Sequence, residues 1–427
     1  MNPHPEQDAS EAGGLFRRAS LYLAANVANA LLPFLLLPFL VRELGAAEYG
    51  TVGLFASSLG MFSVVVGLGG VGYARVSYYK LGADEYREAL GAVLTIFFAS
   101  AALAALALAG ALAAGLLAPD GSVAGLPASV LALGLLGGAC QFAFSLRLAL
   151  WQMAEQPGAY GAAMLAVTAL NLALSIALVF GLGMGWEGRA WGIVVPLALL
   201  GLGSLAALLL GGGVRFGRAA SYLPRVLAYS LPLVPHALIR TAIPFCERSA
   251  LATNTGLAEA GLFFVAFQLA LPVRILANSL NLALKPWSYQ RMADDDRRTV
   301  VRGSYASMLA LALAALAWAG VVWVGFVWVA GPELAGGRLT ALWLIASGLF
   351  SGFYLVVVKA LMFVGRTRTL MLVTVPLGVA YCGAVFALDD ALRVAQLSAL
   401  YHAAVFGAVW YVGNRLYPEP WFGGRAR

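Results

Sequence analysis

The recurrence of apolar runs about 20 residues long is the feature that most limits the folds open to this chain. A run of this length is what an α-helix needs to cross the hydrocarbon core of a bilayer. Only 11% of the 427 residues are charged, whereas soluble globular domains carry about 25%. An outer-membrane barrel would show short alternating segments instead. The sequence therefore predicts an all-α polytopic membrane protein.

Hydropathy and helix-breaking residues divide the chain into twelve predicted spans. Turn sequences such as LGAAEYG, EQPG and GPELAGG separate neighbouring spans. The seventh span is the longest, and Pro232, Pro235 and Pro244 predict that it is kinked or tilted. The predicted spans are 19–41, 51–74, 88–118, 127–150, 159–183, 190–211, 226–253, 257–284, 303–330, 338–365, 369–388 and 392–416.

The distribution of Lys and Arg predicts the orientation of these spans, because cytosolic loops of membrane proteins carry an excess of both. If the amino terminus is cytosolic, nineteen of the 27 basic residues lie at cytosolic helix ends, four in outer loops and four within spans. The first eighteen residues are polar and lack an apolar core followed by a cleavage site, so we interpret them as a cytosolic tail. Both termini are therefore predicted to be cytosolic.

An internal repeat relates the two halves of the chain at an offset of 211 residues. ELGAAEYGTVGLFA (43–56) aligns with NTGLAEAGLFFVAF (254–267), which pairs Gly45 with Gly256 and Gly50 with Gly261. Six spans per repeat is an even number, so the halves share one orientation and are related by an axis along the membrane normal. Transporters with such repeats bind substrate where the repeats meet, so the repeat favours a transporter. The predicted organisation is a cytosolic tail (1–18), an N-terminal six-helix lobe (19–211), a cytosolic linker (212–225), a C-terminal six-helix lobe (226–416) and a cytosolic tail (417–427).

Polar residues recur at helical spacing in three spans. Such spacing puts the members of a set on one helix face, which lines a cavity or a contact between helices and does not face lipid. For Asn26 and Asn29 a hydrogen bond between helices is an equal alternative, His236 also fits a packed polar residue, and Lys285 fits a snorkelling anchor. The sets are Tyr22, Asn26, Asn29 and Pro33 in span 1, His236, Arg240 and Glu247 in span 7, and Arg274, Asn278, Asn281 and Lys285 in span 8.

Charges within the spans predict an anionic substrate. Four cations (Arg240, Arg248, Arg274 and Lys359) stand against one acid, Glu247. A cavity with this bias concentrates anions, and guanidinium groups bind phosphate or pyrophosphate bidentately. The predicted substrate-binding residues are Arg240, Arg274, Lys359, Asn26, Asn278 and His236.

The adjacent charges Glu247 and Arg248 are predicted to act in an ion pair or a gate. Neighbours on a helix point about 100° apart, so the two side chains do not face each other and each needs a partner of its own. Both lie near the outer end of span 7. A tie between helices, made by at least one of them, is therefore favoured over substrate binding.

Other chemistry-bearing residues favour structural roles. Asp294, Asp295 and Asp296 fit a helix N-terminus better than a divalent-metal site. The three cysteines lie in apolar segments and fit packing residues better than disulfides or metal ligands. No phosphate-cradling loop, HExxH sequence or nucleophile elbow occurs. We therefore expect no enzymatic activity, no catalytic residue, no metal and no organic cofactor.

Two stretches resemble the Wzx-type polysaccharide flippases of the MOP transporter superfamily. They are LLPFLLLPFLVRELGAAEYGTVGLFA in the first repeat and YSLPLVPHALIRTAIPFCERSALATNTG, followed by LKPWSYQRM, in the second. The family has a proline-rich start to the seventh helix, an Asp-Arg pair, a short loop ending in Gly, and a Pro-aromatic exit. Glu247-Arg248 replaces the Asp-Arg pair in this chain and keeps both charges.

This resemblance implies the MOP flippase fold and a multi-pass protein of the bacterial plasma (inner) membrane. The implied substrate is a polyprenyl-pyrophosphate-linked oligosaccharide, moved by alternating access for cell-surface polysaccharide biosynthesis such as O-antigen or exopolysaccharide. Membrane lipids and polysaccharide polymerase or chain-length machinery are the implied partners, with no nucleic acid. Coupling to H+, to Na+ or to the membrane potential is left open.

The main alternative is a multidrug or organic-cation antiporter of the same superfamily. Such antiporters use carboxylates in the N-terminal lobe, whereas spans 1 to 6 contain no central Asp or Glu. A lipid-II flippase would have about two further helices. A polysaccharide polymerase or ligase would have a large outer loop, and a scaffold without transport would have no need of intramembrane arginines.

Overall fold

The computed structural model describes the backbone of residues 5–114, 122–123, 126–364, 366–418 and 421. Side chains are described for residues 34, 36–114, 127–285, 287–364, 366, 368–418 and 421. The described chain is almost wholly helical, which confirms the predicted fold class.

Thirteen α-helices follow one another in the described chain. A π-helix (Ile176–Gly181) extends α5, and 3-10 turns (Leu231–Leu233 and Pro332–Leu334) precede α8 and α11. Two-residue strands Ser122–Val123 and Leu126–Pro127 pair antiparallel between α3 and α4. The helices are α1 (Pro5–Gly67), α2 (Gly70–Tyr78), α3 (Ala83–Ala113), α4 (Ala128–Met153), α5 (Pro157–Ser175), α6 (Gly185–Leu210), α7 (Ala219–Ser230), α8 (Val234–Asn254), α9 (Leu257–Ala293), α10 (Arg297–Ala330), α11 (Gly337–Phe363), α12 (Thr367–Val385) and α13 (Ala391–Leu416).

Eleven helical segments in the described residues are long and apolar enough to cross a membrane. They correspond to the second through twelfth predicted spans, so the protein is a multi-pass membrane protein. Most of the first predicted span, 19–41, belongs to α1 but lies outside the residues whose side chains are described. The predicted irregularity of the seventh span is confirmed, because the 3-10 turn at Leu231–Leu233 interrupts the segment Ala219–Asn254 beside Pro232.

The internal repeat is visible in the backbone. Gly45 interrupts α1 with φ 66° and ψ 177°, and Gly256 precedes α9 with φ 100° and ψ 169°. Side chains disfavour positive φ of this kind, so glycine is needed at both places. The two glycines are 211 residues apart, and each one directly precedes a helical stretch with the matched sequence.

The chain forms two compact units. The first contains Met1–Leu37 and Leu54–Thr241, and the second contains Pro38–Gly53 and Ala242–Arg427. Helix α8 thus contributes to both units, and a short stretch of α1 belongs to the second. The lobe limits predicted at 211/212 and 225/226 remain predictions, and part of the predicted linker forms the first turns of α7.

The first unit is held together by close backbone approach between α4 and α1. A methyl group on Gly138 would lie 2.8 Å from the Phe62 Cβ and 2.8 Å from the Ser63 nitrogen. Gly137 approaches Leu59 in the same way. Small residues permit this contact in membrane helices, where helix association depends on packing because lipid is as apolar as leucine. A glycine face on α4 therefore positions the helices of the first unit.

The second unit has a comparable approach between α9 and α11. A methyl group on Gly348 of α11 would lie 3.2 Å from the Arg274 Cγ, and one on Gly352 would lie 2.9 Å from the Ala277 Cβ. In α10, the Trp318 indole nitrogen donates a hydrogen bond to the Leu269 carbonyl (2.8 Å). These contacts fix the depth at which the polar side chains of α9 and α11 meet.

We predict that Gly138→Val lowers the melting temperature of the purified protein, because added core volume at a filled site costs about 1–3 kcal/mol. Gly110→Val is the matched control, since a methyl group there meets no atom within 4 Å. Thermal unfolding in detergent measures both. Equal melting temperatures for the two variants would contradict the packing described for α4.

Candidate functional site

A buried carboxylate ties α8 to α12. Glu247 is 2% exposed, and the Tyr381 hydroxyl donates a hydrogen bond to its Oε1 (2.6 Å). A carboxylate buried in a membrane protein needs such donors, because an ion without them loses its hydration uncompensated.

Arg274, on α9, belongs to the same cluster. Its Nη2 lies 3.0 Å from Nε2 of His402, whose Nδ1 lies 3.0 Å from the Ser347 hydroxyl and 2.8 Å from the Ser398 carbonyl. The two serine hydroxyls are 3.1 Å apart. We call Glu247, Arg274, Ser347, Tyr381, Ser398 and His402 the polar network. Its hydrogen bonds form two groups, one joining Tyr381 to Glu247 and the other running from Arg274 through His402 to Ser347 and Ser398. Together the six residues come from five helices of the second unit.

Arg248 points away from Glu247, as the helical spacing predicts. The Arg248 Cζ lies 4.5 Å from the ring centroid of Phe264 and 4.8 Å from that of Phe267, and its Nη1 donates to the Gly53 carbonyl (3.4 Å). Aromatic faces attract a desolvated guanidinium. Arg248 thus ties α8 to α9 and to the stretch of α1 in the second unit. Its assignment with Glu247 to a gate or an ion pair remains a prediction.

Two other predicted substrate residues of the second unit lie outside the polar network. Lys359 is 5% exposed, and its Nζ donates to the Ser288 hydroxyl (3.3 Å). The Asn278 amide donates to the Arg274 carbonyl one turn earlier (2.9 Å). Asn278 is exposed, and this local bond leaves its amide oxygen available to a ligand.

The remaining predicted substrate residues belong to the first unit. Arg240 is exposed and His236 is half-buried, one helical turn apart on α8. Asn26 lies in α1, outside the residues whose side chains are described. The structure therefore brings Arg274 and Glu247 into one network and places Arg240 and His236 in the other unit.

Sequence reasoning missed Tyr381, His402 and the two serines of the polar network. Ser398 and His402 are four residues apart in an apolar span, so helical spacing in span 12 was a usable signal. The sequence gives no comparable signal for Tyr381, because its partner Glu247 is 134 residues away in the chain. Aromatic residues in spans are ordinary packing groups unless a partner is known.

The acidic residues before α10 and the cysteines were expected to have structural roles. The Asp296 side chain caps α10 by accepting from the Thr299 amide (3.2 Å), as predicted for a helix N-terminus. Hydrogen bonds from Thr299 lower the pKa of Asp296. Within the described residues, no three His, Cys, Asp or Glu side chains form a metal-ligating group. Cys140 is a buried free thiol, and Cys246 and Cys382 are free thiols of intermediate burial.

Comparison with solved structures shows the fold. An inward-facing multidrug resistance MATE family transporter of the MOP superfamily is 14% identical, with a TM-score of 0.70 over 93% of this chain and 98% of that one. The MATE multidrug transporter DinF-BH is 15% identical, with a TM-score of 0.63 over 94% and 96%. The chain therefore has the fold of these MATE transporters, which confirms the predicted fold class.

Sequence comparison is more limited. No protein-family model matches the chain. Protein 1 of the Lsg locus of Haemophilus influenzae is 35% identical over 68 residues, which is 16% of this chain and 17% of that protein. The match thus spans about a sixth of the curated relative.

We predict that Tyr381→Phe destabilises the second unit, because removing a donor from a buried acceptor costs about 1–3 kcal/mol. Tyr411→Phe is the matched control, since Tyr411 is 54% exposed on α13. The midpoint of thermal unfolding measures the effect. A midpoint for Tyr381→Phe equal to that of Tyr411→Phe would show that the hydroxyl contact with Glu247 contributes nothing to stability.

Proposed function

We propose that the protein is a flippase that translocates a polyprenyl-pyrophosphate-linked oligosaccharide across the bacterial plasma membrane by alternating access. The observation that carries this proposal is the charge of the second unit's interior. Away from the helix ends, Arg248, Arg274 and Lys359 stand against Glu247 among the side chains described there. Such an excess favours an anionic ligand such as pyrophosphate and disfavours an organic cation.

Arg274 is the residue best suited to contact the pyrophosphate. Its guanidinium is half-buried and has an imidazole on one side and the Phe267 ring on another, 5.5 Å from the Cζ. Gly348 packs against its aliphatic stem, which holds the group in place. A guanidinium carries five donors, so it can keep these contacts and still bind phosphate oxygens.

Arg240 is the corresponding candidate in the first unit. It is exposed at mid-span on α8, where a guanidinium facing lipid would cost about 2.5–3.5 kcal/mol on insertion scales. A water-filled cavity removes most of that cost, and His236 one turn earlier would face the same water. Lys359 and Asn278 are weaker candidates because the described hydrogen bonds of both are local or buried.

The alternative, a multidrug or organic-cation antiporter, is favoured by the structural neighbours, which are multidrug transporters. The charge of the interior opposes it. Neither the sequence of spans 1 to 6 nor the described interior of the first unit contains a central acid that would attract a cation. A strain in which the gene is deleted separates the two proposals. If the protein is a flippase, the strain loses surface polysaccharide and keeps its drug resistance; if it is a multidrug antiporter, the strain becomes more susceptible to drugs.

The other functional expectations follow from the same proposal. A flippase for surface polysaccharide has its termini in the cytosol, interacts with membrane lipids, and works with polysaccharide polymerase or chain-length machinery. Its driving force is H+, Na+ or the membrane potential. The fully buried carboxylate of Glu247 is the group through which we propose that an ion couples.

We predict that Arg274→Ala and Arg240→Ala each lower export of surface polysaccharide by about tenfold or more, since a hydrogen bond to a charged group contributes about 1.5–3 kcal/mol. Arg393→Ala is the control, because Arg393 is exposed and paired locally with Asp389 at 3.0 Å. Quantitative immunoblotting of surface glycan, normalised to protein in the membrane, measures the result. Normal export by both variants would refute the proposed anion site.

Coupling is tested separately with Glu247→Gln. We expect the neutral amide to keep the contact with Tyr381 and to abolish the dependence of export on the ion gradient. Transport into proteoliposomes with and without a pH or Na+ gradient measures this dependence. Unchanged gradient dependence would assign the coupling to another group.

A further inference from the structure

The hydrogen bonds around His402 determine which of its ring nitrogens carries the hydrogen. Its Nε2 lies 3.0 Å from Nη2 of Arg274, and a guanidinium can only donate, so Nε2 must accept in this contact. Its Nδ1 lies 2.8 Å from the Ser398 carbonyl, which can only accept, so Nδ1 must donate. The two contacts independently require the same neutral ring, with its hydrogen on Nδ1.

Ser347 completes the surroundings of this ring from a second helix. Its hydroxyl lies 3.0 Å from Nδ1 of His402 and 3.1 Å from the Ser398 hydroxyl. Because Nδ1 carries the hydrogen, the Ser347 oxygen accepts a share of it, and the Ser347 proton is directed to the Ser398 hydroxyl. Ser347 and Ser398 are 1% and 2% exposed, so water does not compete for these bonds. The hydrogen on Nδ1 is therefore fixed by both α11 and α13.

This state of the ring matters for Arg274, because an arginine side chain has many rotamers unless it is held. Gly348 packs against its stem, and the Phe267 ring centroid lies 5.5 Å from its Cζ. These contacts limit the stem and one face of the guanidinium, and the bond to His402 sets the direction in which Nη2 points. A group that is already oriented avoids the loss of affinity that comes from ordering a long side chain on binding.

The other states of the His402 ring would not hold Arg274. With a hydrogen on Nε2, alone or together with one on Nδ1, the imidazole and the guanidinium would be two donors facing each other. In the doubly protonated ring a second positive charge would also stand beside the guanidinium. Only the Nδ1–H ring gives Arg274 an acceptor, and this acceptor is uncharged, so the contact orients the guanidinium without an opposite charge.

We infer that His402 is a positioning residue for the anion site, and that its Nδ1–H ring holds the Arg274 guanidinium in the orientation that binds a pyrophosphate group. Ser347 and Ser398 keep the ring in that state. For the pyrophosphate the inference rests on the proposed function, and for the state of the ring it rests on the hydrogen bonds alone. His402 acts through Arg274 and not on the substrate itself.

The state of the ring can be measured without any substrate. The chain has only three histidines, so isotope-labelled histidine gives a simple solid-state NMR spectrum of the lipid-reconstituted protein. Correlation of ring nitrogens with ring hydrogens separates the Nδ1–H, Nε2–H and doubly protonated forms, and the signals missing in His402→Gln are those of His402. We expect the Nδ1–H form. An Nε2–H or doubly protonated His402 would overturn the inference.

Two substitutions of His402 test whether it positions Arg274. The Gln amide reaches the place of Nε2, where its oxygen can accept from Arg274, whereas the shorter Asn reaches only the place of Nδ1 and keeps a donor for the Ser398 carbonyl. We expect His402→Asn to bind farnesyl pyrophosphate about tenfold more weakly than His402→Gln, because only Asn loses the bond to a charged group. Isothermal titration calorimetry of the purified proteins measures the affinities. A purely structural role between α11 and α13 predicts the reverse order, since Asn keeps the local bond and Gln loses it.

Arg274→Ala separates failure of the inference from failure of the proposed function. If Arg274→Ala weakens binding and His402→Asn binds at least as tightly as His402→Gln, the positioning role is refuted and the proposed substrate stands. If the unsubstituted protein does not bind farnesyl pyrophosphate, the proposed substrate is refuted. The NMR spectrum then decides by itself whether His402 holds Arg274.

Discussion

Close approach of helix backbones at glycine is the interaction on which the rest of this structure depends. Membrane helices gain little from burying apolar surface against one another, because lipid is itself apolar. The stabilisation of helix–helix contacts must therefore come from close approach, through dispersion and weak Cα–H···O bonds. Gly138 provides it in the first unit, and Gly348, Gly50 and Gly261 provide it in the second. The same feature sets the depth of the charged side chains, because Arg274 packs its stem on Gly348.

The polar network depends on this close packing of helices. Glu247 and Arg274 cost free energy in the membrane unless donors and acceptors surround them, and five tightly packed helices bring those groups within bonding distance. The network gives each charge neutral partners in Tyr381, His402 and the serines. The excess of positive charge around this network suits a protein whose proposed ligand is an anion.

The sequence predicted the features that depend on local spacing or on the repeat. Eleven spans, the irregular seventh helix, the cap at Asp296 and the pairing of Gly45 with Gly256 all come from patterns within a few residues or from one constant offset. The partners of Glu247 and Arg274 could not be predicted in this way. Their contacts join helices more than a hundred residues apart, and the apolar character that identifies a span gives no information about which face meets which neighbour.

Helical spacing also suggested a grouping that the structure divides. His236, Arg240 and Glu247 share one face of a helix by spacing, but α8 passes from one compact unit to the other between Thr241 and Ala242. A single helix face therefore serves two separate packing environments. Helical spacing gives no sign of this boundary, because it describes one helix and not the neighbours of that helix.

In the second unit the backbones approach closely at Gly50 and Gly261, where a methyl group on Gly50 would lie 2.9 Å from the Gly261 nitrogen. This contact has a consequence for how the protein is made. The amino-terminal partner leaves the ribosome 211 residues before the other, an interval of roughly 10–40 s at 5–20 residues per second. During that time residues 46–53 lack the partner that they contact in the second unit. The second unit is thus completed by a segment that was synthesised with the first, and neither half of the gene encodes it alone.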